Sequence, residues 1–204
     1  MVSSLPNLLT VSRVVLVPVI IGFFYVEGDW ARYVTALLFV VAATTDYVDG
    51  YLARSWKQHS PFGRWLDPVA DKLLVAATVV MLVGFEQAPL LPAVVIVLRE
   101  ILVSGLREYL AEVSVGMPVT PLAKWKTAVQ MTAIGFLLVG DAGPAGVPVT
   151  AIGSVGLWIA AALTLYTGYG YLRSGLRHMF GREPGLQGKP PGKGKLSALE
   201  KAQA

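Results

Sequence analysis

The sequence predicts an all-α, polytopic membrane protein with six transmembrane helices. Two observations carry this expectation. Of the 204 residues, 54% are hydrophobic and only 15% are charged, less charge than a soluble domain of this size carries. The apolar residues also fall in long runs, at 14–26, 73–85, 90–98, 128–139 and 155–165. With their small and polar flanks, several of these runs reach the ~20 residues needed to cross the hydrocarbon core as a helix. No room is left for a separate soluble domain.

Each span follows from its punctuation. The first is expected over 8–26, ending at the turn Glu27-Gly28-Asp29. Ser3, Pro6, Asn7 and Thr10 precede it in place of a basic start, and no small-residue cleavage site follows, so it reads as a retained helix and not a signal peptide. The second is expected over 31–54, followed by a polar segment, 55–65. The third covers 66–85. The fourth, 89–112, begins at the Ala88-Pro89 break. Gly116, Pro118 and Pro121 mark the next loop, with the fifth helix over 122–139. The sixth, 149–172, follows the turn Asp141-Ala142-Gly143-Pro144. Residues 1–172 thus form one membrane domain, and 173–204 a Gly-, Pro- and Lys-rich tail.

Charge sets the orientation. From Arg173 onward the chain has seven Lys or Arg against two Asp or Glu, so the net +4 resides in the tail. Arg54, Lys57, Arg64, Lys124, Lys126 and the tail belong to one set of loops. Glu27, Asp29, Glu86 and Asp141 belong to the other, with Arg32 alone among them. The positive-inside rule places the basic set, and both termini, in the cytoplasm. The tail suits anionic lipid head groups and, lacking interleaved aromatics, does not suggest a nucleic-acid partner. Trp30, Tyr33, Trp65 and Trp125 read as interfacial belt residues. With no cysteine, disulfides, thiolate ligands and a cysteine nucleophile are excluded.

Four carboxylates stand out. Asp46 and Asp49 share a face of the second helix with Gly50 and Ala53, because positions three and four apart are neighbours. Asp67 and Asp71, four apart, share a face of the third, with Gly63 one turn before. The connection between these helices is cytoplasmic, so the two acidic faces can meet at that interface. Ionisable groups inside a membrane are expensive and usually functional. Four together repel strongly and require cations or raised pKa values. The donor set is all oxygen, and His59 and His178 fall outside it, so hard cations such as Mg²⁺, Mn²⁺ or Ca²⁺ are expected. Two such ions suit phosphate chemistry.

Read in full, the spacing is Asp46-x2-Asp49-Gly50-x2-Ala53-Arg54-x8-Gly63-x3-Asp67-x3-Asp71. It resembles the signature of the CDP-alcohol phosphotransferase family and departs from it nowhere. Pro6-Asn7-Leu8-Leu9-Thr10-Val11-Ser12-Arg13, Arg99-Glu100-Ile101, Ser104-Gly105-Leu106-Arg107-Glu108 and Lys124-Trp125-Lys126-Thr127 resemble bacterial members that use glycerol 3-phosphate as acceptor.

The resemblance implies a six-helix fold with a cytoplasm-facing polar cavity, two divalent cations (Mg²⁺ or Mn²⁺), and a homodimer in the bacterial inner membrane. It implies transfer of a phosphatidyl group from CDP-diacylglycerol to glycerol 3-phosphate. Asp46, Asp49, Asp67 and Asp71 would bind metal, with Asp71 also the general base. Asn7, Thr10, Asp46, Asp49, Gly50, Ala53, Arg54 and Gly63 would line the CDP-lipid site. The acceptor phosphate needs its own anion site, for which Arg99, Arg107, Lys124 and Lys126 are the candidates. Arg99, well inside the fourth helix, needs a partner or a water-filled cavity. Glu100 could orient Arg107, which lies on its helix face.

Three other readings compete. One keeps the chemistry with inositol phosphate, serine or another alcohol as acceptor. A prenyltransferase also uses aspartate clusters, but on well-separated segments. An ion transporter with an intramembrane carboxylate site would often show an inverted repeat, and none is evident.

Overall fold

The computed structural model describes residues 5–56, 61–112 and 121–180. Side chains are described except those of 5–9, 46–56, 61–65, 67, 68, 71, 112, 174 and 177–180. The described residues form six α-helices and one short 3-10 turn: α1 (Leu5–Phe23), α2 (Asp29–Trp56), α3 (Pro61–Gly84), α4 (Leu90–Glu112), α5 (Pro121–Val139) and α6 (Val149–Phe180), with the 3-10 turn Gly140–Ala142 between α5 and α6.

Local chemistry sets the ends. Proline opens α3 and α5, where its missing N–H costs nothing and its fixed φ suits the first turn. Asp29 opens α2 and favours the positive end of the helix dipole. At the end of α3 the N–H of Gln87 bonds Leu82 O at 2.7 Å and that of Glu86 bonds Val83 O at 3.0 Å. This is a Schellman closure with Glu86 in the left-handed position, at φ 57°. Glycine is the usual residue there, so the sequence does not announce this stop.

Three helices differ from the sequence expectation by three residues or more at an end. α3 begins at Pro61, not 66, so Gly63 and Arg64 are helical and not part of a linker. The proline start is the stronger signal, and the polar composition of 55–65 obscures it. α1 occupies 5–23 instead of 8–26, because Phe24, Tyr25 and Val26 close a turn with i−3 carbonyl bonds of 3.1–3.2 Å. α6 continues to Phe180, past the expected end at 172; hydropathy falls there but helix-forming residues persist.

The helices pack as two groups of three. α1 lies against both α2 and α3, and α6 lies against both α4 and α5. α2 meets α5 across the middle, while α3 meets α4 along a narrower strip. One apolar core runs through both groups, with Ile20, Phe39, Leu74, Leu82, Ile96, Ile134, Leu137 and Leu157 all buried. The seam between α5 and α6 is closest. A Cβ on Gly156 would fall 2.9 Å from the Ala133 Cβ, and one on Gly153 would fall 2.8 Å from the Leu137 Cγ. Small residues bring the helix backbones together where the surroundings supply no hydrophobic drive.

The α1–α2, α3–α4 and α5–α6 connections gather at one end of the bundle. There Phe24 and Tyr25 stack on Phe85, with centroids 5.5 and 5.2 Å apart, and Tyr33 Oη donates to Ala142 O. The C-terminal ends of α2 and α4 and the N-terminal ends of α3 and α5 therefore lie at the other end.

This all-helical chain has the marks of a membrane protein. Among the described residues, Val149–Arg173 is long and apolar enough to span a bilayer, with mean hydropathy 1.7, and Thr10–Phe23 and Lys72–Gly84 form shorter apolar stretches. Large apolar side chains cover the outside, including Leu37, Leu90, Ile101, Leu102 and Val155, each more than half exposed. Monomeric soluble proteins rarely show so extended an apolar surface.

Gly156→Leu should wedge α5 from α6 and cost about 1–3 kcal/mol, the usual range for overpacking. A thermal-unfolding scan in detergent should show a lowered Tm. Gly22→Leu, where nothing lies within 4 Å, should leave it unchanged.

Candidate active site

All four aspartates lie in helix. Asp46 and Asp49 occupy the C-terminal half of α2, and Asp67 and Asp71 the N-terminal half of α3. Both pairs therefore lie toward the bundle end where α2 ends and α3 begins. α2 has 28 residues, or ~42 Å at 1.5 Å per residue, longer than the ~30 Å hydrocarbon layer. The side chains of these aspartates, and those of Asn7, Gly50, Ala53, Arg54 and Gly63, lie outside the described residues. Among the described residues no three His, Cys, Asp or Glu come together.

α1 adds two polar residues to the same group of helices. Thr10 and Arg13, one turn apart, are each 1% exposed and neither is without a partner. Arg13 belongs to the N-terminal motif, but the sequence pattern alone gives it no role. A fully buried arginine in a run of valines and leucines is the signal that could have singled it out.

The four basic candidates all lie on α4 and α5, and they divide by burial. Arg107 and Lys124 are exposed. Lys126 is not: its side chain is 6% exposed, and its Nζ donates to Glu100 Oε1 across the α4–α5 contact. Arg99, 11% exposed, lies against α6. Its Nη2 donates to Thr167 Oγ1 at 3.1 Å, its Nη1 lies 3.5 Å from Glu100 Oε1, and its Cζ sits 5.7 Å from the centre of the Tyr171 ring. Gly168 makes this approach possible, since a Cβ there would meet Arg99 Cγ at 3.1 Å. Arg99 therefore has partners at both terminal nitrogens, while its buried Nε has none among the described residues. Glu100, expected beside Arg107, instead reaches Lys126 and Arg99.

A second polar group joins α3 to α4. Lys72 Nζ donates to Ser104 Oγ and lies 3.8 Å from Glu108 Oε1, while Ser104 Oγ donates to Glu108 Oε1 at 3.3 Å. Glu100, Ser104 and Glu108 recur every four residues, so they form one stripe along α4. Lys72 attaches to it from α3 and Lys126 from α5.

At the opposite end a cavity of about 530 Å³ is lined by Glu27, Asp29, Arg32, Thr35 and Asp141 among others. It does not adjoin the aspartates. Arg32, the lone basic residue of its loop set, acts locally. Its Nη1 lies 3.5 Å from Val139 O and packs over Gly140, at the carbonyl end of α5.

A helical phosphate-group-transfer enzyme is the class that the paired aspartates and neighbouring basic helices define. The family model for CDP-alcohol phosphatidyltransferases matches residues 3–166. A protein of Rickettsia typhi named CDP-diacylglycerol–glycerol-3-phosphate 3-phosphatidyltransferase is 46% identical over 171 residues, 84% of this chain and 96% of its own. One of the same name from Cereibacter sphaeroides is 39% identical, covering 86% and 97%. A protein of Oryza sativa named cardiolipin synthase (CMP-forming) is 41% identical over 83% of this chain and 56% of its own. The chain belongs to the CDP-alcohol phosphatidyltransferase family, and it is an enzyme that transfers a phosphatidyl group. The prenyltransferase and transporter readings fall with that assignment.

Breaking a buried ion pair from one side strands the other charge, which costs about 3–5 kcal/mol; removing both charges together is often nearly neutral. Glu100→Leu should therefore lower the thermal stability of the detergent-solubilised protein. The double variant Glu100→Leu/Lys126→Met should recover much of the loss. Equal Tm values for the single and double variants would show that the pair carries no such energy.

Proposed function

We propose that this enzyme transfers the phosphatidyl group of CDP-diacylglycerol to glycerol 3-phosphate, giving phosphatidylglycerophosphate and CMP. The observation that carries the reading is the division of labour between the two helix groups. The four aspartates lie on α2 and α3 of one group, and Arg99, Arg107, Lys124 and Lys126 lie on α4 and α5 of the other. The names of the Rickettsia and Cereibacter relatives, matched over nearly their full lengths, support the donor and the acceptor.

In this reading Asp46, Asp49, Asp67 and Asp71 hold two divalent cations, Mg²⁺ or Mn²⁺. An all-carboxylate donor set at helical spacing fits hard cations. Bound there, such ions would neutralise the diphosphate and polarise its phosphorus. Gly50, Ala53 and Gly63 leave room beside the helix backbones for the cytidine nucleotide, with Asn7, Thr10 and Arg54 near it. Arg107, helped by Lys124, holds the acceptor phosphate at the exposed end of α4 and α5. Arg99 and Lys126 lie deeper and are held by Glu100. Asp71 takes the proton of the acceptor hydroxyl as its oxygen bonds to the phosphorus of the phosphatidyl group. The bond from that phosphorus to the CMP oxygen breaks, and CMP leaves.

Six spans, a cytoplasm-facing cavity, the bacterial inner membrane and a homodimer complete the proposal. Helices α1 and α3 to α5 have 19 to 24 residues, near the length of a bilayer crossing, which supports the span count. A second reading keeps the chemistry with another acceptor. The differently named Oryza relative supports keeping it open.

Purified enzyme with labelled CDP-diacylglycerol and a panel of acceptor alcohols tests the assignment. Product should form with glycerol 3-phosphate, be abolished by chelator and return with Mg²⁺ or Mn²⁺. Asp49→Asn should lower turnover and metal affinity steeply. Preference for inositol phosphate or serine would move the acceptor, and full activity under chelation would remove the metal site. Arg107→Ala should raise the KM for glycerol 3-phosphate about tenfold to hundredfold, the effect of losing a charge-assisted contact of about 1.5–3 kcal/mol. Binding of CDP-diacylglycerol should change little.

Orientation is tested separately. A cysteine at Lys57 should react with an impermeant thiol reagent in inverted vesicles and not in spheroplasts, and one at Gly28 in spheroplasts only. The reverse pattern would turn the site away from its cytoplasmic substrates.

A further inference from the structure

We propose that Lys72 is a positioning residue whose bridge to Ser104 and Glu108 aligns the aspartate-bearing helices with the acceptor-binding helices. This rests on the reaction proposed above and adds a residue that no part of that reading uses. Lys72 is next in sequence to Asp71, yet its ammonium turns to α4, where it donates to Ser104 Oγ and lies 3.8 Å from Glu108 Oε1. Successive helical residues are separated by about 100° around the axis. With Lys72 fixed on α4, the face carrying Asp67 and Asp71 is held at a set rotation away from that contact.

The packing explains why a polar link matters here. Within each group of three, the helices are held by broad contacts, α1 against α2 and α3, and α6 against α4 and α5. Between the groups there are the α2–α5 contact, the narrower strip between α3 and α4, and a smaller contact between α3 and α5. Apolar packing along a narrow strip tolerates sliding and rotation; a half-buried lysine bonded to Ser104, with the exposed Glu108 carboxylate 3.8 Å away, resists both. Ser104 and Glu108 also flank Arg107 on α4, so one bridge fixes the helix of the proposed base relative to the helix of the proposed phosphate clamp. Misplacement of reacting groups by ~1 Å can cost ~10²-fold in rate. The consequence should fall on turnover, since each half-site keeps its own ligands.

The experiment uses the full-length enzyme in proteoliposomes at saturating Mg²⁺. Lys72→Met, Lys72→Arg, Ser104→Ala, Glu108→Gln and the double variant Lys72→Met/Glu108→Gln are compared. Lys72→Met should lower kcat about tenfold or more, with both substrate KM values and the Mg²⁺ concentration for half-maximal activity within about threefold of the parent. Lys72→Arg should restore most of the turnover. The double variant should be little worse than Lys72→Met, since the same bridge is lost once.

Unchanged kcat in Lys72→Met would overturn the proposal. So would a raised KM for glycerol 3-phosphate with kcat preserved, which would place Lys72 on the substrate, or a matching loss of Mg²⁺ affinity, which would make it part of the metal site. If Lys72→Met does not fold, Ser104→Ala and Glu108→Gln decide: both must lower kcat while sparing both KM values. Asp49→Asn, run alongside, separates the two levels. An inactive Asp49→Asn with a fully active Lys72→Met refutes the alignment role alone. An active, metal-independent Asp49→Asn refutes the underlying reaction scheme.

Discussion

Charge in an apolar bundle is the constraint on which this structure depends. A guanidinium, ammonium or carboxylate at membrane depth must find a partner or a polar cavity. That requirement sorts the ionisable residues into two kinds. Arg99, Glu100, Lys126, Lys72 and Glu108 satisfy one another, or the hydroxyls of Thr167 and Ser104, across helix contacts. The four aspartates cannot satisfy one another, because all carry the same sign. In the reaction proposed here, cations from outside the chain satisfy them, so they would mark chemistry where the paired residues mark architecture.

The stripe Glu100, Ser104, Glu108 shows how the two kinds are connected. Its spacing of four keeps three acceptors on one side of α4, and lysines from α3 and α5 converge on them. α4, which carries the proposed phosphate clamp Arg107, thus serves as a common reference for α3, the helix of the proposed base, and for α5. The deep pair on Glu100 exacts desolvation that a hydrophobic seam would avoid. What it contributes is a fixed register between helices whose lipid-facing sides are interchangeable Leu, Val and Ile.

The sequence is most legible where physics acts locally. Apolar run length and acidic spacing of three and four identify six helices, their order and the residues that share faces. It is least legible where the outcome depends on tertiary partners. Nothing in the fourth helix says whether Glu100 turns to Arg107, its neighbour on the same face, or to Lys126 on another helix. By sequence Lys126 looks equivalent to Lys124 as a flanking cation, and only packing buries the one and exposes the other; depth sets Arg99 apart, but not the partners it finds. Lys72 is hidden for a related reason: beside Asp71 it reads as an ordinary flanking charge, and its meaning lies entirely in what α4 offers it. Glu86, which ends α3 in a left-handed conformation, has no glycine to announce it.

The two-group packing also bears on how one family can serve different acceptors. If α1–α3 supply the nucleotide and metal chemistry and α4–α6 the acceptor pocket, the second group can change its ligands while the first keeps its own. The thin α3–α4 strip is then where alignment must be preserved as the acceptor changes. A polar bridge is suited to that position. Its geometry is set by three named atoms, Lys72 Nζ, Ser104 Oγ and Glu108 Oε1, and it does not depend on the volumes of surrounding side chains, which are free to drift as the pocket is remodelled. Alignment held by apolar packing alone would shift with every change of volume in the acceptor half.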